Sequence, residues 1–303
     1  MKSIVLWIPV VSLMALLALV SCETLADIGT TVGVATGNIN ESQAASIKKS
    51  AQAVAKSFED ITPEQEYYIG RAVGANVVEK YPPFSEQRAN DYMNKLGQSL
   101  AMASDRPETF SGYHFLILDS EEINAFAAPS GFIFISKGML RCTTDEDTLA
   151  AVLAHEIGHV QHEHGLQAIK KARITTALTS VAITGAQLAG PQEIAELTAV
   201  FEDSIMDITS TLMNSGYSRA FESEADHAAV EILKRVGYDP NALVKLLEVM
   251  EKRLKPGGPD FAKTHPDPKD RIKDVKQTIG DYRHTGAASS ERQRRYREAL
   301  GSL

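Results

Sequence analysis

Thr144-Asp145-Glu146-Asp147-Thr148-Leu149-Ala150-Ala151-Val152-Leu153-Ala154-His155-Glu156-Ile157-Gly158-His159 decides how this chain is read. Leu149 to Ala154 are strong apolar helix formers. Thr144 can cap their helix, with Asp145, Glu146 and Asp147 in the first turn, where the helix dipole favours negative charge. Residues four apart on a helix share a face, so His155 and His159 point the same way. Two neutral imidazoles at that spacing can hold one zinc ion per chain. A carboxylate at the second position, Glu156, then stands beside the metal's open side as a general base.

The histidines beyond His159 do not extend the pattern. A longer zinc signature needs Gly three residues after its second His and His six residues after it; here those positions hold His162 and Gly165. His162 lies off the His155/His159 line and reads as a solvated or supporting group, and His164 with Gly165 reads as the polar end of the helix. A third ligand must come from elsewhere, and a catalytic zinc usually takes two His and a carboxylate. Ser218-Arg219-Ala220-Phe221-Glu222-Ser223-Glu224-Ala225-Asp226 offers one. Glu222 and Asp226 share a face of a helix that ends at Gly237, while Glu224 projects elsewhere. One carboxylate completing a metal's sphere and another orienting a ligand imidazole is the arrangement such sites use. Without the upstream histidine pair, the same stretch would read as a solvated acidic face.

Working outward from the motif, Tyr113–Leu118, Ala125–Ala127 and Phe132–Ile135 read as strands, the last two parted by a Pro129-Ser130-Gly131 turn. A small sheet then precedes the motif helix, and a strand so placed can pair with an extended peptide or serve only as core. Thr62-Pro63-Glu64-Gln65 starts a helix by cap, Pro and reciprocal Gln, and Tyr81-Pro82-Pro83 stops it. A second helix is expected over Glu86–Ala103. Ile174–Ala189 lacks charge but is too short for a span, and Glu193–Met213 reads as an amphipathic helix. Fold class is therefore α+β, mainly helical, with a small sheet beside the motif helix.

At 303 residues, with 44% hydrophobic and 23% charged, the chain is an ordinary globular one with room for a substantial core. A net charge of -8 argues against a nucleic-acid partner, since phosphate neutralisation needs a basic face. Residues 1–21 read as a secretory leader: Lys2, then an apolar run from Ile4 to Val20 broken by Pro9 and Ser12, then Ser21-Cys22. The ending resembles a bacterial lipobox, which implies cleavage before Cys22 and its lipidation, giving a membrane anchor. An ordinary signal peptide or uncleaved anchor is the alternative. Glu23 rather than Asp implies, by the same resemblance, the outer membrane over the inner. With Cys22 lipidated, Cys142 is left alone and reads as a semi-buried small hydrophobe. Residues 22–61 form a tether with a weak helix, 62–280 the main domain, and 281–303 a solvated basic tail around Arg292-Gln293-Arg294-Arg295.

His155-Glu156-xx-His159, Glu222-xxx-Asp226 and Asn124-Ala125-Phe126-Ala127-Ala128-Pro129-Ser130-Gly131 together resemble the zinc metallopeptidase family of HtpX, Oma and CAAX-prenyl-endopeptidase type, with the periplasmic lipoproteins LoiP and BepA nearest in likeness. The resemblance implies a zincin-like fold and zinc endopeptidase activity. It also implies Glu222 as third ligand and Asp226 as the carboxylate behind a ligand. His265, in Thr264-His265-Pro266, becomes a candidate fourth ligand that closes the site, and Arg271 a candidate contact for the oxyanion or substrate. The expected substrates are unfolded or misassembled envelope proteins in the periplasm, near the outer-membrane assembly machinery. A non-catalytic or latent zinc-bearing assembly factor is the alternative.

Overall fold

The protein is described by a computed structural model that covers residues 61–170, 216–253, 265, 268–283, 290–301 and 303, with isolated positions between 31 and 45. The chain divides into two units, residues 1–60 with 169–204 and residues 61–168 with 205–303. The second unit holds the motif helix and the sheet. The leader, most of the tether, Ile174–Ala189, Glu193–Met213 and the loop before His265 lie outside the described residues.

Thr62 starts α1 (Pro63–Lys80) through a full capping box, its hydroxyl accepting from Gln65 N while Gln65 Oε1 accepts from Thr62 N. Helix α2 (Gln87–Ala101) comes next, then β1 (His114–Leu118), β2 (Ala125–Ala128), a 3-10 turn at Pro129–Gly131 and β3 (Phe132–Ser136). The strands lie in the order β1-β3-β2, with β1 parallel to β3 and β2 antiparallel to it. The outer edge of β1 is not left open. Asn94 on α2 bonds both Phe115 N and Phe115 O, Asn90 accepts from Ile117 N, and Pro83 bridges to Leu118. Side-chain amides thus do the work of a missing neighbour strand.

A short helix, α3 (Lys137–Leu140), leads to α4 (Glu146–Gln161), the motif helix. Its cap is Asp145 rather than the expected Thr144. Asp145 Oδ1 accepts from Thr148 N and Thr148 Oγ1 accepts from Asp145 N, so the charged residue meets the helix dipole directly. Every residue of α4 from Glu146 to Val160 is buried. Leu149, Leu153 and Ile157 each add roughly 1.5–3 kcal/mol of burial, so the site stands on a helix fixed in the core. Around α4 pack the sheet, α2, α5 (Arg219–Val236) and α6 (Asn241–Arg253). Helix α5 is capped by Ser218 and ends at Gly237 with φ 82°, as the sequence suggested. Cys142 is more deeply buried than expected, at 1% exposure, and burial raises its thiol pKa.

Helix α7 (Pro268–Ile279) packs on α5 and α6, and α8 (Ser290–Leu300) on α2 and α4. The position of α8 corrects the solvated tail expected of residues 281–303. Ala299 and Leu300 are buried, Arg295 binds Glu146, Arg292 lies over the Tyr238 ring, and Tyr296 hydrogen-bonds Thr143. The arginines are not a free basic face, because a buried carboxylate at the foot of α4 takes one of them. Among the described residues no helix is long and apolar enough to cross a membrane.

Candidate active site

On α4 the Nε2 atoms of His155 and His159 face each other at 3.2 Å. Helix α5 comes close because Gly158 has no side chain. A Cβ there would meet Ala225 O at 2.8 Å and Ala225 Cα at 3.0 Å. That approach carries Glu222 to the pair, its Oε2 3.6 Å from His155 Nε2 and its Oε1 3.4 Å from His159 Nε2. From the segment ahead of α7, His265 brings Nδ1 to 2.7 Å from Glu222 Oε2. One donor atom from each of His155, His159, Glu222 and His265 lies within 4.8 Å of the others, and none of these residues is more than 3% exposed.

This donor set fits a zinc ion. Two imidazole nitrogens are aimed at each other, and Glu222 Oε1 is buried with no hydrogen-bond donor. A cation between them would satisfy all three. Two imidazoles and a carboxylate are a catalytic zinc set, and a fourth nitrogen would close the sphere. The charges agree. Burial works against charge on His155, but Asp226 and Glu222 outweigh it and lift the ring to about 9. Burial drives His159 well below its ordinary value. The facing nitrogens therefore share one proton, held on His155, which a metal would displace. Burial works to raise Glu222, yet His265 and Arg271 hold it well below the usual carboxylate range. Glu156 is 1% exposed, and burial pushes it up to about 7, where a carboxylate can both take and return a proton.

Behind His155, Asp226 Oδ1 accepts from Nδ1 at 2.9 Å, so the ring's other nitrogen faces the ligand group. Arg271 clamps that carboxylate with Nε at 2.8 Å and a second nitrogen at 2.7 Å, and reaches Glu222 with its third at 3.1 Å. The sequence offered Arg271 as an oxyanion contact. Its guanidinium is instead committed to these two carboxylates. Tyr217 stacks on His159 at 4.2 Å and donates to Ala127 O on β2, tying the sheet to the site.

His164 was missed. Expected at the polar end of the motif helix, it is wholly buried, with Nδ1 2.8 Å from His159 Nδ1 and Nε2 2.9 Å from Glu224 Oε2. Helix α4 stops at Gln161, and Glu163 turns the chain through the left-handed region at φ 54°, returning His164 to His159. The one available signal was Glu224, off the Glu222/Asp226 face and without an assigned partner. His162 is partly exposed at the helix end, as expected.

The model of peptidase family M48 matches residues 87–279, well over half the chain and all of the ligand group. This chain belongs to peptidase family M48. The M48 match brings the zincin-like fold expected from the sequence together with the observed architecture of sheet and helices. The chain is 29% identical over 232 residues to the beta-barrel assembly-enhancing protease of Escherichia coli strain K12, covering 75% of this chain and 45% of that protein. It is 30% identical over the same length to the protein of that name from Yersinia pestis, with the same coverage. It is 31% identical over 162 residues to the mitochondrial metalloendopeptidase OMA1 of Schizosaccharomyces pombe, 52% of this chain and 43% of that one. This M48 chain thus spans about half the length of the curated relatives it matches.

Proposed function

We propose that the chain is a zinc-dependent endopeptidase of the bacterial periplasm, anchored by lipid at Cys22, that degrades misfolded or misassembled envelope proteins. The observation that carries the reading is the buried group of His155, His159 and Glu222, with Glu156 beside it at a pKa near neutrality. His155, His159 and Glu222 would hold the metal. When bound, zinc polarises a carbonyl and makes water acidic near neutral pH. Glu156 takes the proton from the water that attacks the scissile carbonyl, then returns it to the leaving amine. Asp226 and Arg271 fix His155 and Glu222 while this happens, and the buried walls exclude bulk water.

The position of His265 favours a latent resting state. Its ring lies among the donors, and Glu156 and all four ligand residues are almost fully buried, so a peptide cannot enter without movement. A zinc-bearing assembly factor that cleaves only when opened fits the same geometry. An extended substrate entering there can pair with β2, the edge strand of the β1-β3-β2 sheet, displacing the Tyr217 hydroxyl from Ala127 O. The name of the bacterial relatives, beta-barrel assembly-enhancing protease, supports substrates and partners in β-barrel assembly, which this reading places at the outer membrane. Residues 1–21 serve as leader and 22–61 as tether in this reading, with the peptidase unit beginning at 62.

Casein digestion by the full mature chain tests it. Cleavage should stop with a chelator and return with zinc; digestion that survives metal removal overturns the mechanism. Labelled palmitate should enter the wild-type chain and not Cys22→Ser, and label in that variant would refute the anchor.

A further inference from the structure

His155 and His159 present the same nitrogen, Nε2, to the ligand group, so each must carry its proton on Nδ1 to leave Nε2 bare for a metal. For His155 the device is direct, since Nδ1–H donates to Asp226. No carboxylate touches His159 Nδ1. Its partner is another imidazole nitrogen, His164 Nδ1, at 2.8 Å. Two nitrogens that close share one proton, and either ring could own it.

Glu224 decides which. Its carboxylate accepts only, and lies 2.9 Å from His164 Nε2, so that nitrogen carries a proton. A neutral His164 then has a bare Nδ1, and the shared proton must belong to His159. The alternative is a doubly protonated His164, an extra positive charge at a wholly buried position beside a metal group, which desolvation and the metal's own charge both oppose. The ring plane is held flat against Phe221, 4.2 Å away and 8° from parallel, and a flip within that plane would put carbon in place of nitrogen against both His159 and Glu224.

We propose that Glu224 and His164 form a positioning relay that fixes the Nδ1–H tautomer and ring orientation of His159 and thereby sets the affinity of the metal site. The proposal rests on the zinc reading above and deepens it. Neither residue touches substrate or metal; both act through His159. Partners of this kind behind a ligand imidazole change metal affinity by roughly 10–100-fold when removed.

Three substitutions separate the parts of the relay. His164→Phe keeps the stack on Phe221 and removes the acceptor. Glu224→Ala leaves the acceptor and frees its tautomer. His164→Asn places an amide oxygen where Nδ1 was, which accepts from His159 without help from Glu224. Zinc affinity of the full mature chain, read by competition with a chromophoric chelator, should fall roughly 10–100-fold in His164→Phe. In Glu224→Ala it should fall less. The double variant His164→Phe/Glu224→Ala should bind no more weakly than His164→Phe alone, and His164→Asn should bind close to wild type. In the zinc-loaded, histidine-labelled protein, nitrogen NMR should show a protonated His159 Nδ1 coupled through the hydrogen bond to a bare His164 Nδ1. Unchanged affinity in folded His164→Phe, additive losses in the double variant, or a proton on His164 Nδ1 would each overturn the relay. If His164→Phe does not fold, Glu224→Ala and the wild-type spectrum still decide. A wild-type chain that binds no zinc would instead defeat the metal reading itself.

Discussion

The two imidazoles of α4 proposed as metal ligands are four residues apart and nearly equivalent in sequence, yet they are supported in opposite ways. His155 leans on a carboxylate at 0% exposure, itself clamped by a guanidinium that also reaches Glu222. His159 leans on a neutral ring whose own carboxylate, Glu224, is half exposed. The first support is an ion-pair knot inside the protein, where breaking one partner strands a buried charge. The second carries no buried net charge and ends in solvent. One imidazole is therefore tied into the stability of the fold, while the other is held by parts that can change at small cost to it. A site built so asymmetrically can be altered in metal affinity from one side without unfolding from the other.

The largest expected effect lies between the two supports and depends on neither. Glu156→Gln should lower casein cleavage by roughly 100- to 10,000-fold, the usual worth of a general base, with zinc content unchanged in the purified protein. Retained turnover in a zinc-loaded Gln variant would show that another group moves the proton. Next comes the direct break of the comparison. Asp226→Ala should cost the metal-free chain about 3–5 kcal/mol in urea unfolding, because the buried Arg271 loses the carboxylate that clamps it through two nitrogens. Glu224→Ala should cost less than about 1 kcal/mol, as half-exposed pairs do. Equal losses would mean the two supports differ only in appearance.

Acid behaviour sharpens the same contrast. Burial works to raise Asp226, but Arg271 outweighs it and depresses the carboxyl from 3.8 to about 2. A depressed carboxylate stabilises the fold above its ordinary pKa and loses that contribution as pH falls toward the folded value. The metal-free chain should therefore lose roughly 2 kcal/mol between pH 5 and pH 2 on account of this group, and Asp226→Asn should remove that part of the acid slope. Identical slopes for the two proteins would place the depression elsewhere.

The sequence exposed the first support and hid the second for a physical reason. Glu222 and Asp226 lie four apart on one uninterrupted helix, so helical periodicity alone puts them on a shared face. His159 and His164 are five apart across a helix end, and their contact depends on Glu163 entering the left-handed region. No spacing rule announces that, because a non-glycine at positive φ is uncommon. Asp145 displaced Thr144 as the cap for a similarly local reason, the reciprocal bond with Thr148. The sheet's strands were readable from short runs of β-formers bounded by turn residues, but the parallel pairing of β1 with β3 was not, since strand order and direction are set by long-range packing and not by local sequence. The terminal helix was missed because its arginines looked solvated. Only the fold reveals that Glu146, buried at the foot of α4 with Tyr92 and Tyr238, draws Arg295 inward.

The smallest expected effect tests which side of the site moves in function. His265 meets Glu222 at 2.7 Å, with its ring beside both imidazoles. Burial drives its pKa down to about 4, so at neutral pH it is an unprotonated ring able to serve as a ligand. If it is a reversible fourth ligand, His265→Ala should retain zinc, since His155, His159 and Glu222 still suffice, and should cleave casein several-fold faster than wild type, about the size of a small population shift toward the open state. If the ring instead stabilises the reacting carbonyl, the same variant should keep its zinc and turn over more slowly, by roughly 100-fold for a lost oxyanion donor. The two outcomes differ in sign, so one rate measurement on a zinc-replete sample separates them. A faster variant would also locate the motion: His265 must leave Glu222, the carboxylate that faces both imidazoles, while the Asp226 and His164 arms stay in place.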